Sequence, residues 1–137
     1  MALTQQLVVL VAEDEPAVRN LVTALMQMEG YLVLSAADGL EGLELSRQFP
    51  GQIHLLITDV SMPRMNGVAL TAHLLADRPG IKVLMMSGEN MTEVASQNTH
   101  LHVLLKPFDG QTLTTRAQSM LAHLKEGQTH ESQQERA

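Results

Sequence analysis

No cysteine occurs in the 137 residues. Its absence excludes disulfides, thiolate zinc sites and cysteine nucleophiles. Basic residues are scarce: 9 Lys and Arg stand against 15 Asp and Glu, for a formal net charge of −6. Binding nucleic acid by charge needs a basic stripe that this chain lacks, and an anionic membrane surface would repel it. No apolar run approaches the ~20 residues that span a bilayer. Met1–Gln6 is too short and polar for a secretory signal. A cytoplasmic protein with neither nucleic acid nor membrane as partner is therefore expected. What remains is 45% hydrophobic and 18% charged, a globular composition. The length suits one domain of the usual ~100–150 residues.

Short apolar runs alternate with helical patterns. The runs are Leu7–Ala12, Tyr31–Ala36, Ile53–Thr58, Lys82–Met86 and one closed by Val103–Leu105. Runs of this length, without polar alternation, read as strands buried on both faces. Between them, Val18, Leu21, Val22, Leu25 and Met28 repeat at helical spacing, with Pro16 at the start and Gly30 at the end. Asp38 and Glu41 have capping-box spacing ahead of a helix that runs to about Phe49. Val68–Ala76 is helical, and a short helix is expected over 91–97. Asp109 can cap a last helix whose stripe is Leu113, Ala117, Met120, Leu121 and Leu124. Met85 and Met86 belong in the core, whereas Met62 and Met65 are expected to be exposed. His100 and His102 are expected to face solvent or to be half-buried. The expected organisation is an extension over 1–6, one domain over 7–126 and a disordered polar tail over 127–137. Five βα units with right-handed crossovers make an α/β, doubly wound parallel sheet.

Each of four strands is followed by polar residues able to do chemistry. Glu13 and Asp14 follow the first, Asp59 the third, Ser87 the fourth and Lys106 the fifth. A doubly wound sheet gathers such strand ends along the edge where ligands bind. Taken singly, each has a plain structural role. Asp14 beside Pro16 can cap the first helix, Ser87-Gly88 can be a turn, and Lys106 can be a surface lysine. Together they are three acids, a hydroxyl and a cation, a set suited to a hard divalent ion and a phosphoryl group.

The segments Val11–Glu15, Leu56–Pro63, Asn66-Gly67, Met86–Gly88 and Leu105–Phe108 together resemble the receiver domain of bacterial two-component response regulators. The resemblance covers about Leu7 to Lys125. It implies a flavodoxin-like (βα)5 sheet of strand order 2-1-3-4-5. It implies Asp59 as acceptor of a phosphoryl group from a histidine kinase or phosphotransfer protein. It assigns Asp14, Glu13, Asp59 and the backbone carbonyl of Ser61 to Mg2+ or Mn2+, and Ser87 and Lys106 to the phosphoryl group. A cis Lys106–Pro107 bond and a monomer or weak dimer are further expectations. So is an unidentified downstream protein reached through contacts rather than through an attached output domain. Such a domain is a phosphoacceptor rather than an enzyme, limited to its own phosphorylation and dephosphorylation.

The chain departs from the family where a Tyr or Phe usually stands, three residues before the lysine: that residue is Val103, preceded by His102. Thr99 and His100 replace the usual Gly-Ala pair ahead of this strand. The departures leave the phosphate chemistry in place but remove the aromatic that normally moves with the hydroxyl. They support an alternative, a receiver-fold interaction module that does not signal by phosphorylation. A phosphatase of the haloacid dehalogenase type shares an Asp nucleophile, a hydroxyl and a Lys. It needs a second acid two residues past the nucleophile, where this chain has Ser61.

Overall fold

The computed structural model describes residues 6–88 and 101–134, with residues 123 and 125–134 described by their backbone alone. The strands are β1 (Val8–Ala12), β2 (Leu32–Ala36), β3 (Leu55–Asp59), β4 (Lys82–Ser87) and β5 (Leu101–Leu105). The helices are α1 (Pro16–Met28), α2 (Gly39–Gln48), α3 (Gly67–Asp77) and α4 (Gly110–Gln134). All strand pairs are parallel, in the order β2-β1-β3-β4-β5. This is the doubly wound parallel sheet that the alternating pattern predicts, in the flavodoxin-like strand order that the resemblance implies. The short helix expected over 91–97, together with Thr99 and His100, lies outside the described residues.

Alternate residues of each strand feed two cores, which is why the strands carry no polar face. Val9, Val11, Leu55, Ile57, Leu84, Met86 and Leu104 pack with Val22 and Met26 of α1 and with Leu113, Ala117, Met120 and Leu121 of α4. On the opposite face, Val8, Leu10, Leu56, Val83 and Met85 pack with Leu43 of α2 and with Leu70 and Leu74 of α3. Met85 and Met86 thus fill different cores, as adjacent strand residues must. Met62 departs from expectation: it is buried in the second core. The loop after β3 turns back, leaving its sulfur 4.0 Å from Thr58 Oγ1. Met65 is half-buried beside it rather than exposed.

Local chemistry sets the helix ends. Pro16 opens α1, but Glu15 is the N-cap and no side chain caps it, so Asp14 is not spent on that role. Asp38 Oδ1 accepts from Glu41 N at 2.8 Å, and Glu41 Oε1 accepts from Ala37 N at 2.7 Å. That is a capping box whose return bond reaches one residue further back than usual. Asn66 caps α3 through Ala69 N, and Asp109 caps α4 through Thr112 N at 2.7 Å. The C-terminal end of α2 is closed by another element: Arg78 donates to Ser46 O, Phe49 O and Gly51 O and to Ser46 Oγ. The α4 backbone continues to Gln134, beyond the expected start of the tail at Gly127. The stretch is polar but free of proline, and extending a helix already formed adds a hydrogen bond per residue. β5 is one of the two outer strands, and its Val103 carbonyl accepts from Arg116 Nη1 of α4 at 3.2 Å. Among the described residues no helix is long and apolar enough to cross a membrane.

Candidate phosphoacceptor and metal site

The sheet register brings the strand-end residues together. Ala12, just before Glu13, sits opposite Thr58, just before Asp59. Asp59 sits opposite Met86, just before Ser87, and Ser87 sits opposite Leu105, just before Lys106. One carboxylate oxygen from each of Glu13, Asp14 and Asp59 lies within 4.8 Å of the other two. Lys106 Nζ donates to Asp59 Oδ1 at 3.1 Å and stands 3.7 Å from Glu13 Oε1. The second distance is an ion pair too long to be a hydrogen bond. The peptide bond that follows Lys106, Lys106–Pro107, is cis, as the resemblance implies.

The three acids differ in surroundings. Glu13 is 1% exposed, Asp59 is half-buried and Asp14 is exposed. Glu13 Oε2 accepts from Glu15 N at 3.0 Å, and its backbone carbonyl accepts from Arg19 Nη1 at 2.9 Å. Among the described residues, nothing donates a hydrogen bond to its buried Oε1. Burial raises the Glu13 pKa above the ordinary glutamate value, and the nearby Asp59 charge pushes the same way. The Glu15 N–H and Lys106 oppose both. Burial alone would lower the Lys106 pKa. The hydrogen bond to Asp59, with the charges of Glu13 and Asp59, outweighs it and leaves the ammonium more firmly protonated than usual.

The residues present fit a hard divalent cation. Every donor in the group is a carboxylate oxygen, and one buried oxygen, Glu13 Oε1, takes no hydrogen bond from the described residues. A lone carboxylate oxygen kept from water is costly, and an ion such as Mg2+ takes one or two carboxylates and completes its shell with water. Ser61 is exposed in the loop after β3, two residues beyond Asp59. Ser87 is buried at the end of β4, and its carbonyl accepts from Lys106 N at 2.7 Å. Among the described residues, a Cβ on Gly88 would meet nothing within 4 Å. Val103 is half-buried and packs against the core of α2 and α3. His102, next to it, is also half-buried, as expected. Its pKa is lowered by burial and by Arg116 and Lys82.

The segment after Asp59 is tied down more tightly than its sequence shows. Asp59 Oδ1 also accepts from Val60 N at 3.0 Å, and Thr58 Oγ1 donates to Asp59 O at 2.9 Å. Gly67 N donates to Val60 O at 2.8 Å, and a Cβ on Gly67 would lie 2.0 Å from Asp59 O, so only glycine fits. Gly39 N donates to Met65 O at 3.1 Å, and a Cβ there would lie 2.1 Å from that oxygen. Arg64, at φ +67°, donates from Nε to Asp38 Oδ2 at 2.8 Å. Thr58, Gly39, Asp38 and Arg64 were not candidates from the sequence. Asp38, with Glu41, carried a helix-start signal, but nothing in the local pattern pairs Asp38 and Gly39 with residues 64 and 65.

Residues 9–118 match the family described as response regulator receiver domain. The chain is 35% identical over 116 residues to a sensor kinase, CckA, of Brucella abortus (strain 2308). That match covers 82% of this chain and 12% of CckA. It is 38% identical over 97 residues to the Regulator of RpoS of Escherichia coli (strain K12), covering 68% of this chain and 28% of that protein. Across three such relatives the chain spans 8% to 51% of their lengths. Among solved structures, the receiver domain from the hybrid histidine kinase CckA superposes with a TM-score of 0.68 at 36% identity. It covers 83% of this chain and 98% of that one. The chemotaxis response regulator CheY4 of Vibrio cholerae superposes with a TM-score of 0.75 at 28% identity, over 85% of this chain and 100% of the other. With this match, the strand order and the strand-end residues in agreement, the chain belongs to the response regulator receiver domains of two-component systems.

Proposed function

We propose that this receiver domain accepts a phosphoryl group on Asp59 from a histidine kinase or a phosphotransfer protein, in the cytoplasm, and passes the event on through protein contacts. The observation that carries the reading is the convergence of Glu13, Asp14 and Asp59 on one spot, with Lys106 bonded to Asp59. In the transfer, an Asp59 carboxylate oxygen forms a bond to phosphorus as the P–N bond of the donor phosphohistidine breaks. The electron pair returns to the imidazole, which leaves as a neutral ring when its other nitrogen carries a proton.

Such a transfer depends on position and on neutralising the phosphoryl oxygens more than on a strong nucleophile. Lys106 supplies a fixed positive charge with three donors, already facing Asp59. Ser87 supplies a neutral donor from the adjoining strand. Glu13, Asp14, Asp59 and the Ser61 carbonyl are the groups that would hold Mg2+ or Mn2+. The ion would offset the repulsion among the acids and the incoming phosphate.

The test is intact mass after incubation with Mg2+ and acetyl phosphate. One phosphate adduct is expected in wild type and none in Asp59→Asn; no adduct in wild type, or equal adducts in both, would overturn the proposal. The valine at position 103 motivates the second reading, an interaction module that phosphorylation does not switch. It gains if the adduct forms while amide spectra of β5 and α4 stay unchanged.

A further inference from the structure

We propose that the Asp38–Arg64 ion pair is a positioning latch that holds the 60–66 loop in the shape the metal site requires. The inference rests on the metal-assisted reading above and adds residues that the reading does not use. Among the described residues, Arg64 is the one non-glycine residue with positive φ. That conformation costs an L-residue roughly 1–2 kcal/mol, so something must hold it. The holder is Asp38, whose side chain is 10% exposed and makes two bonds at once. One carboxylate oxygen caps α2 and the other takes Arg64 Nε at 2.8 Å. The next residues repeat the link through the backbone, since Gly39 N bonds Met65 O.

The loop is therefore clamped at both ends. Thr58 and Gly67 fix the Asp59 and Val60 carbonyls at its start. The Asp38-Gly39 corner fixes residues 64 and 65 near its end. Ser61, the proposed carbonyl ligand, lies between the clamps. Loosening the second clamp would free this carbonyl while leaving the sheet and the acids in place. Neither residue touches the metal or the phosphoryl group, so both are positioning residues.

A purely electrostatic role for Arg64 predicts the opposite sign. A cation near the site repels Mg2+, and its removal would tighten binding. The decisive measurement is the Mg2+ dissociation constant from amide shifts, with melting recorded in EDTA, for wild type and variants. Arg64→Ala is expected to weaken Mg2+ binding about tenfold, the low end for residues that orient a ligand. Arg64→Lys, which keeps the charge, recovers most of the affinity. Arg64→Gly, which accepts positive φ without strain, binds as weakly as Arg64→Ala and separates the ion pair from backbone strain. Asp38→Asn keeps a capping oxygen and weakens binding similarly, and the double variant is no worse than either single one. Unchanged or tighter binding in Arg64→Ala and Arg64→Gly, with Asp14→Asn still weakened, would overturn the latch alone. Absence of Mg2+ binding by wild type would overturn both the latch and the metal reading.

Discussion

At the scale of single residues, Glu13 sets the site's electrostatic character. It is buried with one oxygen that takes no hydrogen bond from the described residues, only the longer ion pair with Lys106, and it lies beside Asp59. Burial disfavours its charge, so without a divalent ion the ionised side chain weakens the fold near neutral pH. Glu13→Gln keeps the shape and the bond from Glu15 N but removes the charge. In EDTA the variant is expected to melt about 2–4 °C above wild type. In saturating Mg2+ the order should reverse, because only wild type offers the full acid set. Calorimetric melting curves in both buffers provide the check. Glu13 was legible in the sequence because it follows an unbroken apolar run, whose end a parallel sheet fixes in space. Arg64 was not. Its partner lies 26 residues away, and the pairing depends on the conformation of a turn that strand and helix patterns do not encode. Met62 misled for the same reason: a methionine beside a proline in a polar loop gives no sign that the loop folds back over the sheet.

At the scale of elements, one helix can carry a sequence signal at its start and none at its end. β1, β3 and β4 were legible because burial on both faces demands apolar residues at every position. The ends of α2 show what such patterns miss. Its start carried a signal in Asp38 and Glu41, and both side chains make the expected kind of bond. Its end is closed by Arg78, whose guanidinium spans four acceptors from beyond α3. No residue near Phe49 announces that. Arg78→Ala is expected to cost about 2 kcal/mol, since bonds from a charged donor to carbonyls are worth roughly 1.5–3 kcal/mol and these carbonyls lose their partner. A lower urea midpoint with an unchanged slope is the expected signature. The loss should leave Mg2+ affinity as in wild type, because Arg78 serves the end of α2 opposite to the Asp38 cap.

At the scale of the whole molecule, buried ionisable groups decide how the fold responds to acid. His54 is 3% exposed, and its Nδ1 accepts from Val8 N at 3.0 Å. That bond requires the neutral ring. Burial holds its pKa below the ordinary 6.5, as it does for His102. A histidine pKa lowered in the fold means the unfolded chain takes up the proton first. The contribution is therefore whole above pH 6.5 and is lost as pH falls from there toward the folded value. Each such group removes up to about 1.4 kcal/mol per pH unit in that window. Asp38 and Asp109, whose pKa values are lowered, add their losses only below about pH 4. Glu13, whose pKa is raised, works the other way between its folded value and 4.5. Urea midpoints should fall between pH 7 and 5.5, and His54→Gln should flatten that slope. A slope unchanged in His54→Gln would remove His54 from the account.

Arg116 on the Val103 carbonyl bears on how copies of this domain can meet. An outer strand with free backbone groups is a template on which another chain can pair. Here an α4 guanidinium already occupies a carbonyl in the middle of β5. A second molecule extending the sheet at that edge would have to displace a charged donor and leave it without its acceptor. The Arg116 contact therefore works against strand addition at the middle of β5, as a charged or covered position does on other sheet edges.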